Sequence, residues 1–329
     1  MKILKSSATA TTEKKEKKEL NFGEKSQFRQ LISAIWKSRA TYLLLIPGLI
    51  WLFIFAYLPM GGLSLAFKNY KANLGIWGSP WVGFQNFEYL FRDVKFWESI
   101  WKTLYINCGR MLFQFPAPII MALIINEFRM KRYKKVLQTV YTFPHFLSRV
   151  IVASIATNIF SRDGLINQLV MIPGGEPINF LGRPSSFIPL LYITDIWKYA
   201  GYGAIIYLAT ISGIDTEQYE AADIDGATRL QKLFRITIPN LMPTVIVMFI
   251  MTMGSLMSQG FDQIFNMRNA AVQESVEVLD TYIYRVTFLS SADFGFSTAA
   301  SLFRSLTNAL MLILADRGSK LMGGGGLFG

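Results

Sequence analysis

The sequence holds a single cysteine, Cys108, and a single histidine, His145, in 329 residues. One cysteine excludes an intrachain disulfide and any cysteine-based metal site, and one histidine excludes a metal centre built on a histidine cluster. A nucleophile activated by histidine has correspondingly little to draw on. Charge is scarce as well: Asp, Glu, Lys and Arg make up 17% of the chain, where soluble domains carry about 25%. The phosphate-binding pattern G-x-x-x-x-G-K-[ST] is missing, because no Lys-Ser/Thr follows the glycine run Gly323 to Gly326. ATP hydrolysis is therefore not expected on this chain. No apolar run of secretory type follows the charged N-terminus, where Glu13 to Glu19 read EKKEKKE. Residues 1–20 are expected to be a solvated cytoplasmic tail and not a signal peptide.

What fills the chain instead is apolar: 52% hydrophobic residues, 14% aromatics and a mean hydropathy of +0.32. No charged residue falls between Arg39 and Lys68, nor between Arg235 and Asp262. About 20 apolar residues suffice for a helix to cross the hydrocarbon core, and both stretches are long enough. Hydropathy predicts six membrane-spanning helices, near 41–66, 101–126, 136–160, 187–212, 239–261 and 297–315. The fold class is thus an all-α integral membrane bundle. It divides into a tail over 1–40, a membrane domain over 41–320 and a short C-terminal tail over 321–329. Residues 26–38 have the pattern of a short amphipathic helix lying along the membrane face. With the N-terminus inside, twenty Lys and Arg fall in the inner segments against eight outside, or fourteen against eight without the six lysines before Lys25. Lys and Arg gather on the cytoplasmic side of short loops, so both termini are expected there. The net charge of +11 is read as this topological signal and not as a nucleic-acid footprint.

Four of the six spans carry ionisable residues: Lys102 and Arg110, His145 and Arg149, Asp195 and Lys198, and Arg304. A charge at bilayer depth costs several kcal/mol, and such residues face a bundle interior or a water-filled path. Lys102, Arg149 and Lys198 are close enough to span ends to snorkel to the interface instead. The pattern is that of a conduit more than of an anchor.

The segment Tyr219 to Pro239 reads YEAADIDGATRLQKLFRITIP. Glu220, Ala221 and Ala222 open a short helix of small residues, Gly226 allows the backbone to turn, and Leu230, Leu233, Phe234 and Ile236 make an apolar face beyond it. Pro239 is expected to end that second helix and start the next span. Asp223 and Asp225 form an Asp-x-Asp pair, which leaves open a metal-dependent membrane glycosyltransferase. The segment resembles the EAA loop of ABC importer permeases, E-A-A, three residues, G, nine residues, I-x-L-P. Glu220, Ala221, Ala222, Gly226, Ile236 and Pro239 match it, and Ile238 stands in the place of Leu. The resemblance implies that this loop is the coupling helix that sits in a cleft of an ATPase subunit.

The resemblance runs on in collinear order from about residue 40 to the end. It is carried by Tyr42 to Pro59, Gly78 to Phe87 (GSPWVGFQNF), Phe115 to Pro118, Pro144 to Ser148, Asp195 to Lys198, Gly203 to Tyr207, Gly260 to Phe265 and Asp280 to Arg285. These passages are similar to carbohydrate-uptake permeases of the LplB/YteP type, which have a MetI-like transmembrane domain. That resemblance implies a type I importer in the bacterial cytoplasmic membrane. Its partners would be a second homologous permease, two copies of an ATPase that holds ATP and Mg, and an extracytoplasmic solute-binding protein. The cargo would be an oligosaccharide, and this chain itself would bind no cofactor and no metal. Loops 66–98 and 262–296 would meet the binding protein. Sugars bind by stacking on aromatic rings and by hydrogen bonds to hydroxyls. The candidates for the path are Trp197, Tyr199, Tyr202, Tyr207 and Phe261, with Asp195, Lys198, Gln259 and Asp262 as polar partners; aromatics here also suit an interfacial belt. Arg110 and Arg304 would suit a uronate. Import of amino acids, peptides or another small solute keeps the architecture and changes the cargo.

Overall fold

The computed structural model describes residues 36–128, 130–290, 293–321, 323 and 325–327. Residues 26–35 of the expected amphipathic helix over 26–38, and the tail before them, lie outside these residues. Among the described residues the regular elements are helices, with one isolated antiparallel bridge between Lys68 and Trp81. The chain forms two units, Met1–Ser64 and Leu65–Gly329.

The first span, α1, is the helix Arg39–Phe67. It is regular over Arg39–Leu52, passes one π turn at Phe53–Tyr57, and tightens to 3-10 geometry from Leu58. Pro47 lies inside it. A proline removes one backbone donor, and in lipid such irregularity is tolerated where local 3-10 or π adjustments re-satisfy the carbonyls.

In the second unit, α2 is Val94–Glu127, with a slip at Phe115 before Pro116. Helices α3 (Arg132–Phe146) and α4 (Arg149–Phe160) follow, then α5 (Pro184–Ser212). The loop helix α6 (Thr216–Ile224) precedes α7 (Arg229–Met253). Two short helices, α8 (Phe261–Met267) and α9 (Leu279–Tyr284), lead to the last span, α10 (Phe294–Leu321). By length and composition α1, α2, α7 and α10 each suffice to cross a membrane, and the bent pair beginning with α3 is a fifth if its two helices count as one span. Helix α5 has 29 residues, about 43 Å at 1.5 Å per residue. It is long enough to be the sixth, but Asp195, Lys198 and its tyrosines and glycines make it less apolar than the others.

Three boundaries differ from the expectation. The span expected over 136–160 is not continuous: the chain breaks at Phe143–Ser148 and the helices on either side meet at 99°. Pro144 starts the break, and Ser148 restarts the helix by accepting a hydrogen bond from the Ile151 amide. The span expected over 239–261 stops at Met253, after which Gly260 takes a left-handed conformation (φ +96°). Pro239 does not end a helix either. The helix runs from Arg229 through a π turn at Leu233–Thr237 and continues, with Pro239 at the start of the next α-helical stretch. A π turn shifts the hydrogen-bond register by one residue, which accommodates the missing proline N–H.

Helix α5 is the hub. Gly201 lets it approach α3 so closely that a Cβ there would lie 2.0 Å from the Tyr141 carbonyl oxygen, and one at Gly203 would lie 3.0 Å from Pro118. Phe187 and Leu191 join one buried apolar cluster with Ile106, Ala153, Ala156 and Ile264. Ala204, Tyr207, Leu208 and Ile211 join another with Ala122, Ile125 and Leu241. Between those two clusters α5 buries Thr194, Asp195 and Lys198, so a polar layer divides two apolar ones. A third cluster packs Phe96, Leu279 and Tyr282 against Ala299 and Ala300. There the Tyr282 hydroxyl donates to Asp93 Oδ2 at 2.5 Å, and burial together with that bond pushes the phenol up from its ordinary value.

Candidate functional site

Asp195, on the fourth turn of α5, is 1% exposed and meets two guanidinium groups. Arg110 comes from the middle of α2, with Nη1 3.2 Å from Asp195 Oδ2. Arg149, the first residue after the break that precedes α4, pairs with Asp195 Oδ1. Arg110 is held further: its Nη2 donates to Gln263 Oε1 at 2.5 Å. Gln263 Nε2 in turn donates to the Leu191 carbonyl at 2.8 Å and to Thr194 Oγ1 at 2.7 Å. The irregular stretch after α7 makes room for this arrangement. A Cβ at Gly260 would lie 2.7 Å from Arg110 Nη1, so glycine serves both the positive φ and the close approach of the guanidinium. Asn107 Nδ2 ties the same stretch to α2 by donating to the Leu256 carbonyl at 2.7 Å.

These residues face a cleft of about 380 Å³, within the usual range of small-molecule sites. Arg110, Arg149, Asp195 and Gln259 give it a polar wall; Tyr199, Tyr202, Tyr207 and Phe115 give it aromatic rings. The Arg149 guanidinium carbon lies 4.6 Å from the centre of the Tyr199 ring. His145 stacks on Tyr202 with ring centres 3.7 Å apart and planes 3° from parallel. Stacked rings beside fixed hydrogen-bonding groups suit a sugar, and a carboxylate ringed by guanidiniums biases the wall towards anions.

Of the residues singled out by sequence, Arg110, Asp195, Tyr199, Tyr202, Tyr207 and Gln259 line the cleft, and Phe261 does not. Trp197 is 46% exposed and does not. Asp262 is exposed in the first turn of α8, outside the lining. Arg304 is drawn off to an ion pair with Asp280. Lys198 is buried, and its ammonium donates to the carbonyls of His145 at 2.8 Å, Pro144 at 3.4 Å and Leu147. It thus satisfies the His145 and Leu147 carbonyls at the break and shares the Pro144 carbonyl with the Leu147 amide. Lys198→Met should therefore destabilise the protein by about 2 kcal/mol or more, since buried carbonyls lose their donor. A thermal melt in detergent reads this, and an unchanged midpoint would refute the capping role. Arg149 enters the site although its place near a span end also suited snorkelling. Gln263 and Gln114 carried no signal in the sequence, because an uncharged amide adds nothing to a count of charges or apolar runs.

The loop 219–239 has its own geometry. Asp215 caps α6 by accepting from the Glu217 amide. The helix ends with Gly226 at φ +72°. The Ala227 amide donates to the Ala222 carbonyl at 2.9 Å and the Gly226 amide to the Asp223 carbonyl at 3.1 Å; this pair of bonds is the Schellman ending. Thr228 and Gln231 then form a reciprocal capping box at the start of α7. The two arms are tied by Lys232 Nζ to Asp223 Oδ1 at 2.6 Å and by Tyr219 Oη to Thr237 Oγ1 at 2.9 Å. Glu220, Ala221 and Pro239 are exposed, Ala222 and Ile236 half-buried. Ile224, Leu230 and Phe234 are 88%, 66% and 63% exposed. Asp223 is thus already paired with a lysine, and Asp225 serves as the cap residue of α6.

A bundle of apolar helices around a charged cleft, with a rigid exposed loop between two spans, defines a membrane permease. Residues 114–317 match the binding-protein-dependent transport system inner membrane component, and the chain belongs to that family. Protein LplB of Bacillus subtilis (strain 168) is 40% identical over 298 residues, covering 90% of this chain and 93% of that protein. The polygalacturonan/rhamnogalacturonan transport system permease protein YteP of the same organism is 37% identical, covering 93% and 95%. Among solved structures, the chain matches one chain of a bacterial ABC transporter involved in the import of the acidic polysaccharide alginate. Identity there is 36% and the TM-score 0.81, over 89% of this chain and 99% of that one. The MetI-like permease fold expected from the sequence is confirmed by that match, and membership of a permease family displaces the glycosyltransferase reading.

Proposed function

We propose that this chain is the translocation subunit of an ATP-driven importer that carries oligosaccharides, acidic ones included, across the bacterial cytoplasmic membrane. The observation that carries it is the cleft, with Tyr199, Tyr202 and Tyr207 beside Arg110, Arg149 and Asp195. Permease relatives serve polygalacturonan and rhamnogalacturonan, and the solved relative serves alginate. The path residues of this reading are Arg110, Arg149, Asp195, Tyr199, Tyr202 and Gln259.

The same reading sets the partners. A second homologous permease completes the path, an ATPase dimer holding ATP and Mg supplies the work, and a solute-binding protein delivers the sugar. A related alginate importer has been solved with its periplasmic protein bound to an alginate pentasaccharide, which supports the last of these. Both termini and the loop 219–239 face the cytoplasm, so that Glu220, Ala221, Ala222, Gly226, Ile236 and Pro239 stand at the ATPase. Closure of the ATPases moves the loop, and α7, which is continuous with it, carries the motion into the bundle beside the cleft. The test is purification of the tagged chain in mild detergent, followed by reconstitution in liposomes. Co-purification of an ATPase and a second permease, with ATP-dependent uptake of an oligosaccharide, is the expected outcome. Absence of any ATPase under conditions that preserve the complex would overturn it.

A further inference from the structure

Two cations and one anion meet at the cleft, and they are not held alike. Arg110 is 2% exposed, bonded to Gln263, and walled by the Gly260 backbone. The side chain of Arg149 is 22% exposed, rests on the Tyr199 ring, and pairs with Asp195. It stands at the start of α4, directly after the 99° bend, and its guanidinium lines the cleft. The cluster is one anion short. Among the described residues Asp195 is the single acidic one lining the cleft, against Arg110 and Arg149. Lys198 adds a further cation, engaged by backbone carbonyls. Asp262 is exposed and lies outside the lining. The network is also unsaturated. Among the described residues Arg110 Nε is buried without a hydrogen-bond partner, and Asp195 Oδ2 meets Arg110 Nη1 as an ion pair at 3.2 Å without a further donor.

We infer that Arg149 is the specificity-determining residue of the path: it takes the carboxylate of an acidic sugar, and Asp195 occupies its guanidinium until that carboxylate arrives. On exchange Asp195 keeps Arg110, the sugar carboxylate takes Arg149, and two cations face two anions. Tyr199, already under the guanidinium, keeps its plane fixed while the partner changes. A neutral sugar cannot displace Asp195, so it meets a closed ion pair. Arg149 and not Arg110 is the exchanging group, because Arg110 would have to break its bond to Gln263 and move away from backbone packed against it. This inference rests on the oligosaccharide-importer reading and refines it.

The experiment uses the purified complex of this chain with its partner permease and ATPase, without solute-binding protein, so that delivery does not filter the probes. The probes are a labelled oligogalacturonate and its carboxyl-reduced counterpart, a neutral oligogalactose of the same length and linkage. Binding is read by equilibrium dialysis for the parent, Arg149→Gln and Arg149→Lys. The parent should prefer the acid. Arg149→Gln should weaken the acid roughly tenfold to a hundredfold, the worth of one charged hydrogen-bonding partner, and leave the neutral probe within about twofold. Arg149→Lys should recover part of the loss. Asp195 keeps Arg110 in both variants, so both should fold, and melting in detergent checks it. Equal losses for both probes, or none, would overturn the inference, as would a parent that binds the neutral probe as well as the acid. The reading beneath is tested apart: a reconstituted parent importer, supplied with its binding protein, that takes up no oligosaccharide would sink the transport assignment itself.

Discussion

Asp195→Ala is expected to lower the stability of the protein by about 3–5 kcal/mol, because it strips the counter-charge from a buried guanidinium. Removing one partner of a buried ion pair costs that much, since the other is left uncompensated in low dielectric. Arg110, 2% exposed, has no route to water without unpacking α2 from the segment around Gly260. Arg149, partly exposed, can turn into the cleft and loses less. Total stabilities are about 5–15 kcal/mol, so the variant should accumulate poorly and melt well below the parent in detergent. Asp195→Asn keeps the shape and one acceptor oxygen and should fall between the two. Equal melting of parent and Asp195→Ala would show that the three side chains do not form the cluster described.

Gly226→Val should uncouple transport while leaving the permease folded. The φ of +72° is costly for a β-branched residue, by roughly 1–2 kcal/mol, but nothing lies within 4 Å of the added Cβ. The penalty is therefore backbone strain confined to the loop. Relief of that strain opens the Schellman ending of α6, so Ile224 moves relative to Leu230 and Phe234. These three exposed apolar side chains are the surface that a docked ATPase would cover. Co-purified ATPase should drop below detection and uptake should fall at least tenfold, with the permease still present in the membrane. Gly226→Asn tolerates the left-handed conformation better and should retain most of both. Full ATPase recovery with Gly226→Val would remove the loop from the coupling role.

The loop was legible in the sequence because its determinants are local. A helix of small residues ending on Gly226 needs nothing from the rest of the chain, and the capping box that the structure shows at Thr228 and Gln231 is as local. The spans were legible for the same reason, since a charge-free run reports its own solvent. Their breaks were read less well. Pro144 and Pro239 carry the same backbone defect, yet one marks a 99° bend and the other a continuous helix. The difference is what surrounds them: the Lys198 ammonium collects the carbonyls of His145 and Leu147 at the break, whereas a π turn absorbs Pro239 within its own helix.

By itself, then, the sequence determined the solvent of the chain, its helical class and the family, all written in local runs and ordered motifs. The charged cleft needed the fold. Arg110 and Arg304 look alike as lone arginines in apolar helices, and only helix rotation sends one to Asp195 and the other to Asp280. Rotation is set by packing, here by the close approach of α5 to α2 and α3 at Gly201 and Gly203. Hydropathy averages over a helix's circumference and holds no record of that choice.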